Sequence, residues 1–264
     1  MIIDTHVHFS DEPGYADNLA AECGRLGIGK VCLLGGNCNS GKIEGGILDA
    51  LKTHPDLYLG FGMFRLGDDP PEAVKAFHDA GFKGLKCICP RSRYDDKAYY
   101  PVYRQAEELR MPMLFHLGIV GRSDDDGRRD VNCDRMRPVH LDTIARAFPG
   151  LMIIGAHFGN PWTDEAAMIA RWNPNVFFDL SGSILKYRSR EYFHQLLWWG
   201  RDPDYMAPDK TGPWDKLLFG SDVKISSIEG VMADYRGLLG SLWLSDVDRA
   251  KVWGGNAAKL LGIQ

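Results

Sequence analysis

Eight short apolar runs alternate with helix-spaced amphipathic segments along this 264-residue chain, and no other feature narrows the fold so far. The apolar runs cover residues 1–8, 30–34, 57–64, 82–88, 111–116, 151–157, 176–181 and 217–222. Between and after them, apolar residues recur at helical spacing over 15–26, 43–51, 71–80, 99–109, 141–148, 164–172, 191–199 and 228–239. Strands that alternate with helices at this regularity build a parallel sheet, and eight units point to a closed barrel over an open doubly wound sheet. The pattern predicts one (β/α)8 TIM barrel domain over residues 1–264. A last helix is expected at 247–261, with Ser245 as N-cap and Gly262 past its end.

Charge and composition narrow the function classes. The chain has 31 basic and 35 acidic residues, a formal charge of −4, and no basic run that could neutralise a row of phosphates. No nucleic-acid partner is expected, and a small-molecule substrate is. The turn at Gly35-Gly36 lacks the Gly-Xaa-Gly-Xaa-Xaa-Gly order of a dinucleotide site. No run approaches the ~18 apolar residues of a membrane span, and no charged and apolar leader precedes the first strand. A cytoplasmic protein with no membrane partner is expected. The six cysteines lack zinc-ribbon or redox spacing and suit a reducing compartment; Cys87 and Cys89 read as small buried residues. Trp198-Trp199 suits either a homodimer face or a buried helix face.

Polar residues that end apolar runs carry more weight than others, because a parallel barrel gathers its chemistry at the C-terminal ends of its strands. His6 and His8 end the first run, two apart and so on one face of a strand. An isolated His-Xaa-His is as readily two ordinary histidines as half a metal site. Here Lys86 lies in the fourth run, His116 ends the fifth, His157 the sixth and Asp222 the eighth. Four imidazoles and a carboxylate at one mouth are what a divalent ion requires. His54, His78, His140 and His194 fall on or beside helices and read as surface or helix-end residues.

Five stretches carry a resemblance: Asp4-Thr5-His6-Val7-His8, Pro112-Met113-Leu114-Phe115-His116, Ala156-His157-Phe158-Gly159-Asn160-Pro161-Trp162, Asp179-Leu180-Ser181-Gly182, and Leu218-Phe219-Gly220-Ser221-Asp222. Together they resemble the amidohydrolase superfamily, in its branch that holds hydrolases and decarboxylases such as aminocarboxymuconate semialdehyde decarboxylase. The resemblance implies that His6, His8, His116 and Asp222 hold one divalent ion, zinc first and manganese second, with His157 beside the metal-bound water. It also implies a second ion if Lys86 is carbamylated. As a free ammonium, Lys86 would bind a substrate carboxylate instead, or simply reach solvent.

The chemistry expected is hydrolysis of an amide, lactone or ester bond in a small carboxylated substrate by a metal-activated water. Asp222 would act as base and then acid, and His157 would hold the water or the developing oxyanion. Arg65, Lys86 and Arg122, with Arg128 and Arg129, are candidates for the substrate anion. Non-oxidative decarboxylation of an aromatic or enoic acid is the alternative. The long connection 117–138 follows a strand and, through its acidic run 123–130, is expected to act as a lid.

Overall fold

In the computed structural model, residues 1–35, 43–121, 130–200, 207, 209–242 and 244–263 are described. The strands are β1 (Ile2–His8), β2 (Ile28–Leu34), β3 (Tyr58–Phe64), β4 (Gly84–Cys87), β5 (Met113–Phe115), β6 (Ile153–Gly155), β7 (Val176–Asp179) and β8 (Leu217–Leu218). They pair in parallel in chain order, each with the next. Backbone hydrogen bonds close the remaining seam: Thr5 N–H donates to Phe219 O at 2.9 Å, and Asp222 N–H to His6 O at 2.7 Å. The buried Asp4 carboxylate staples the same seam, accepting from the N–H groups of His6 and Ser221 at 3.1 and 3.0 Å. The fold is the expected single-domain (β/α)8 TIM barrel.

The connecting helices are α1 (Tyr15–Leu26), α2 (Gly45–Thr53), α3 (Glu72–Asp79), α4 (Tyr100–Glu108), α5 (Val139–Ala147), α6 (Thr163–Trp172), α7 (Ile184–Tyr187), α8 (Arg190–Leu196), α9 (Ile228–Ser241), α10 (Asp246–Ala250) and α11 (Asn256–Leu261). Most match their sequence spans to within two residues at each end. Two do not. The expected helix 191–199 stops at Leu196, and α7 precedes it; extended Arg188 and Ser189 separate the two, and the Ser189 hydroxyl caps α8 by accepting from Tyr192 N–H. The expected helix 247–261 is split by a π turn at Lys251–Gly255. Gly254 there passes so close to β1 that a Cβ would meet Met1 O at 2.3 Å, which excludes any larger residue.

Side-chain alternation sorts the barrel into an outer shell and an inner column. Leu85, Met113, Phe115, Ile153, Phe178 and Phe219 pack outward in the large core under the helices. Ile3, Cys32, Phe61, Leu114, Ile154, Phe177 and Leu218 fill the interior. Fully burying each large apolar side chain contributes about 1.5–3 kcal/mol, so this plug holds the strands in register. The next inward positions are Lys86, His116 and Asp179, which places a polar layer directly above an apolar floor. On β1 a simple alternation from inward Ile3 would turn His6 and His8 outward. One extra residue prevents it: Asp4 and Val7 pair with Val31 and Leu33, three steps against two. This bulge reverses the parity of β1 and brings both histidines inside.

His140, expected at the surface or at a helix end, is the second residue of α5 but is buried, with Nε2 donating to Asp134 O at 2.8 Å. Trp199 belongs to the core while Trp198 stays partly exposed. Cys87 and Cys89 are both buried, as expected. The proposed lid at 123–130 lies outside the described residues except for Asp130, which pairs with Arg91 at 2.8 Å. No helix among the described residues is long and apolar enough to cross a membrane.

Gly118, just after β5, has φ +99°, and a Cβ on it would stand 2.0 Å from Asn160 O in the loop after β6. Both the backbone angle and the backbone contact forbid a side chain there. Gly118→Ala is expected to destabilise the fold by on the order of 3 kcal/mol, read as a lowered denaturation midpoint at unchanged slope. An unshifted midpoint would show that the two loops are not held together.

Candidate metal centre

His6, His8, Lys86, His116, His157 and Asp222 come together at the C-terminal mouth of the barrel. His6 Nε2 lies 3.1 Å from Lys86 Nζ and 3.5 Å from Asp222 Oδ1. His8 Nε2 lies 3.7 Å from Asp222 Oδ1, and His157 Nε2 lies 3.7 Å from Asp222 Oδ2. His116 joins through Nδ1, 3.3 Å from His157 Nε2. Single donor atoms of His6, His157 and Asp222 lie within 4.8 Å of one another. Lys86 is almost wholly buried, which removes the reading in which its ammonium reaches solvent.

Proton accounting then assigns each imidazole its tautomer. Asp179, on β7, can only accept, so His6 Nδ1, 2.9 Å from its Oδ2, carries the proton. Ser181 spends its one hydroxyl proton on Asp179 Oδ1 at 2.5 Å, so its oxygen accepts from His157 Nδ1 at 2.8 Å. His8 Nδ1 donates to Gly35 O at 2.9 Å. With His157 Nε2 bare, His116 Nδ1 donates to it. His116 Nε2 is left bare, buried and without a hydrogen-bond partner.

The unprotonated Nε2 atoms of His6, His8 and His157 therefore stand 3.5, 3.7 and 3.7 Å from the Asp222 carboxylate, while His116 meets this group through Nδ1. Such a set repels itself unless a cation stands among it. Lys86 supplies one charge at one point; imidazole nitrogens and a carboxylate oxygen are also the donors that zinc and related divalent ions take. The residues fit a metal ion on this ground.

The charges agree. Burial, with Lys86 and His6 adding to it, lowers His8 to about 3. Burial lowers His157 to about 4 against the pull of Asp179, and lowers His116 well below its usual range. These imidazoles are neutral at pH 7, as metal ligands must be. Burial pushes the Asp222 carboxyl up, but His6, His157, His8 and Lys86 outweigh it and hold the group below its ordinary value. Asp222 is thus an ionised acceptor at the mouth.

Backbone strain marks the same residues. His157 and Asp222 both sit in the left-handed region, at φ 59° and 49°. Such angles cost on the order of 1–3 kcal/mol in a non-glycine residue and gather at functional sites. Gly220 lets this end of the barrel close, since a Cβ there would stand 3.0 Å from the Cβ atoms of His6 and Asp179.

Two further candidates are not joined to the cluster. Arg65 follows β3 and is mostly buried, with Nε 2.9 Å from Asp68 Oδ2. Arg122, with Arg128 and Arg129, lies outside the described residues. The roles of Asp179 and Ser181 were not expected, although their motif was singled out. An acidic residue ending a strand, followed two positions on by a hydroxyl, was the available signal.

A protein-family model for amidohydrolases matches residues 45–263, most of the chain but not the segment with His6 and His8. Among curated proteins, an 86-residue stretch covering 33% of this chain is 29% identical to protein fluG of Emericella nidulans, and the match spans only 9% of that protein. An uncharacterized TIM-barrel protein from Bordetella bronchiseptica superimposes with a TM-score of 0.72 at 17% identity, over 99% of this chain and 98% of that one. A probable 2-pyrone-4,6-dicarboxylic acid hydrolase from Acinetobacter baumannii, with citric acid bound, scores 0.67 at 13% identity over 99% of both chains. The 5-carboxyvanillate decarboxylase of Novosphingobium aromaticivorans, complexed with manganese and 4-hydroxy-3-methoxy-5-nitrobenzoic acid, scores 0.67 at 15% identity, over 100% of this chain and 96% of that one. These likenesses bear out the fold, and the family model decides the rest: this chain is an enzyme that belongs to the amidohydrolase family.

Proposed function

We propose that the protein is a metal-dependent hydrolase that cleaves an amide, lactone or ester bond in a small carboxylated substrate. The observation that carries this reading is the ring of bare Nε2 atoms around an ionised Asp222. His6, His8, His116 and Asp222 would hold one divalent ion, zinc or manganese. When bound, that ion supplies a Lewis acid for the substrate carbonyl and lowers the pKa of water from ~15.7 towards 7. Asp222, held as the carboxylate, takes a proton from the attacking water and returns it to the leaving group. His157 is the candidate for holding the attacking water, which would take the place of His116 Nδ1–H at Nε2; a bare Nε2 does not donate to an oxyanion. Lys86, buried beside His6, offsets the negative charge that develops on the substrate. Arg65 and Arg122 are the candidates for binding the substrate anion.

Decarboxylation is a second reading, favoured by the likeness to a manganese-containing decarboxylase. In it, Asp222 or His157 carries a proton to carbon in place of a leaving group. One assay separates the two: a panel of aromatic, enoic and lactone acids is scored for carbon dioxide release and for net acid release. Acid release without carbon dioxide supports hydrolysis, and stoichiometric carbon dioxide overturns it.

A mononuclear centre has its own test. Lys86→Ala is expected to leave one metal per chain, measured by elemental analysis. A fall from two to one would show that Lys86, as a carbamate, bridges a pair.

A further inference from the structure

The proposed reaction uses only the inner face of the mouth. A cleft of about 970 Å³ opens from His8 and Asp222 outward, between the loop after β1 and the loop after β8. That volume is at the upper end for a small-molecule site and far exceeds what a scissile bond alone requires. Phe9 and Tyr15 give it an apolar wall; the Tyr15 hydroxyl is taken up by His8 O at 2.7 Å, so the ring presents carbon. Its charged lining is uneven. Glu22 is neutralised by Arg25 at 2.7 and 2.9 Å, and Glu12 stands on the β1 side. On the β8 side stands Lys224, exposed and in no ion pair among the described residues. It follows Asp222 by two positions, so its backbone lies within about 7 Å of that of Asp222.

We propose that this cleft seats the body of the substrate and that Lys224 binds a second carboxylate, remote from the reacting bond, which makes the substrate a diacid or a half-ester or half-amide of one. An ammonium on one wall and Glu12 on the other give the substrate one orientation: its far carboxylate turns to the β8 side while its near end reaches the histidines. The apolar wall covers the carbon skeleton between them. This rests on the mouth being the reaction centre.

The probes are aliphatic diacids from succinate to suberate, each paired with the monoacid of equal chain length, titrated into the purified metal-containing protein by calorimetry. One diacid is expected to bind about tenfold more tightly than its monoacid, the worth of one charge-assisted hydrogen bond. Lys224→Ala should erase that advantage at unchanged metal content, Lys224→Arg should restore most of it, and Lys52→Ala on α2 should leave it intact. If no diacid outperforms its monoacid, or if the advantage survives in Lys224→Ala, the assignment is wrong. Chelated protein tests the metal reading separately. Monoacid affinity that is unchanged without metal overturns the metal centre and leaves the Lys224 comparison standing.

Discussion

Asp222→Asn is expected to lower turnover by roughly 10² to 10⁴ while metal content falls only modestly. The amide keeps one oxygen that can still donate weakly to a cation at the mouth. It cannot accept a proton, and the proton is what either reaction must move. His157→Asn is the contrast. In the proposed reaction His157, with Nε2 3.7 Å from Asp222 Oδ2, only positions the water, so its loss should reduce turnover less and leave metal occupancy near normal. Steady-state kinetics and elemental analysis on the same preparations read both effects. An Asp222→Asn enzyme within tenfold of wild type would remove Asp222 from proton transfer.

Asp179→Asn is expected to weaken metal binding by about 10- to 100-fold, although Asp179 belongs to no proposed ligand set. Its Oδ1 accepts from His157 N–H and from the Ser181 N–H and hydroxyl, and its Oδ2 accepts from His6 Nδ1. One amide oxygen can keep the three donors on the first side only if the amide nitrogen turns to His6. Two N–H groups then face each other, and His6 escapes by moving its proton to Nε2, the atom that must stay bare. Metal titration followed by competition with a chelator measures the loss, and circular dichroism checks that the barrel remains. Unchanged affinity in a folded variant would mean that the tautomer of His6 is not held by Asp179.

Much of this site was legible before any coordinates because strand ends in a parallel barrel converge. His6, His8, His116, His157 and Asp222 could be grouped from eight apolar runs and their terminal residues, with no knowledge of distances. Element type was legible for the same reason, since periods of two and 3.6 leave different marks in the chain. Where an element ends was less so. β8 spans only Leu217–Leu218, because the Tyr235 hydroxyl inserts where the ladder with β7 would continue, accepting from Leu180 N–H at 2.9 Å and lying 3.2 Å from Leu218 O. The burial of His140 was not legible, because a polar side chain at a helix end reads as exposed, and one of its partners, Asp95, comes from the distant connection after β4.

The sequence by itself determined the class of fold, the mouth where chemistry gathers and the residue types placed there, because these follow from hydrophobic period and from the direction of parallel strands. The inward turn of His6 and His8, their tautomers, the burial of Lys86 and the cleft that ends at Lys224 were decided only by tertiary structure. A one-residue bulge in β1 reverses every side chain beyond it, and nothing local announces it. Tautomers are settled by donors and acceptors far apart in the chain, with Asp179 lying 173 positions from His6. A cleft exists only where two loops, from opposite ends of the sequence, come to stand side by side.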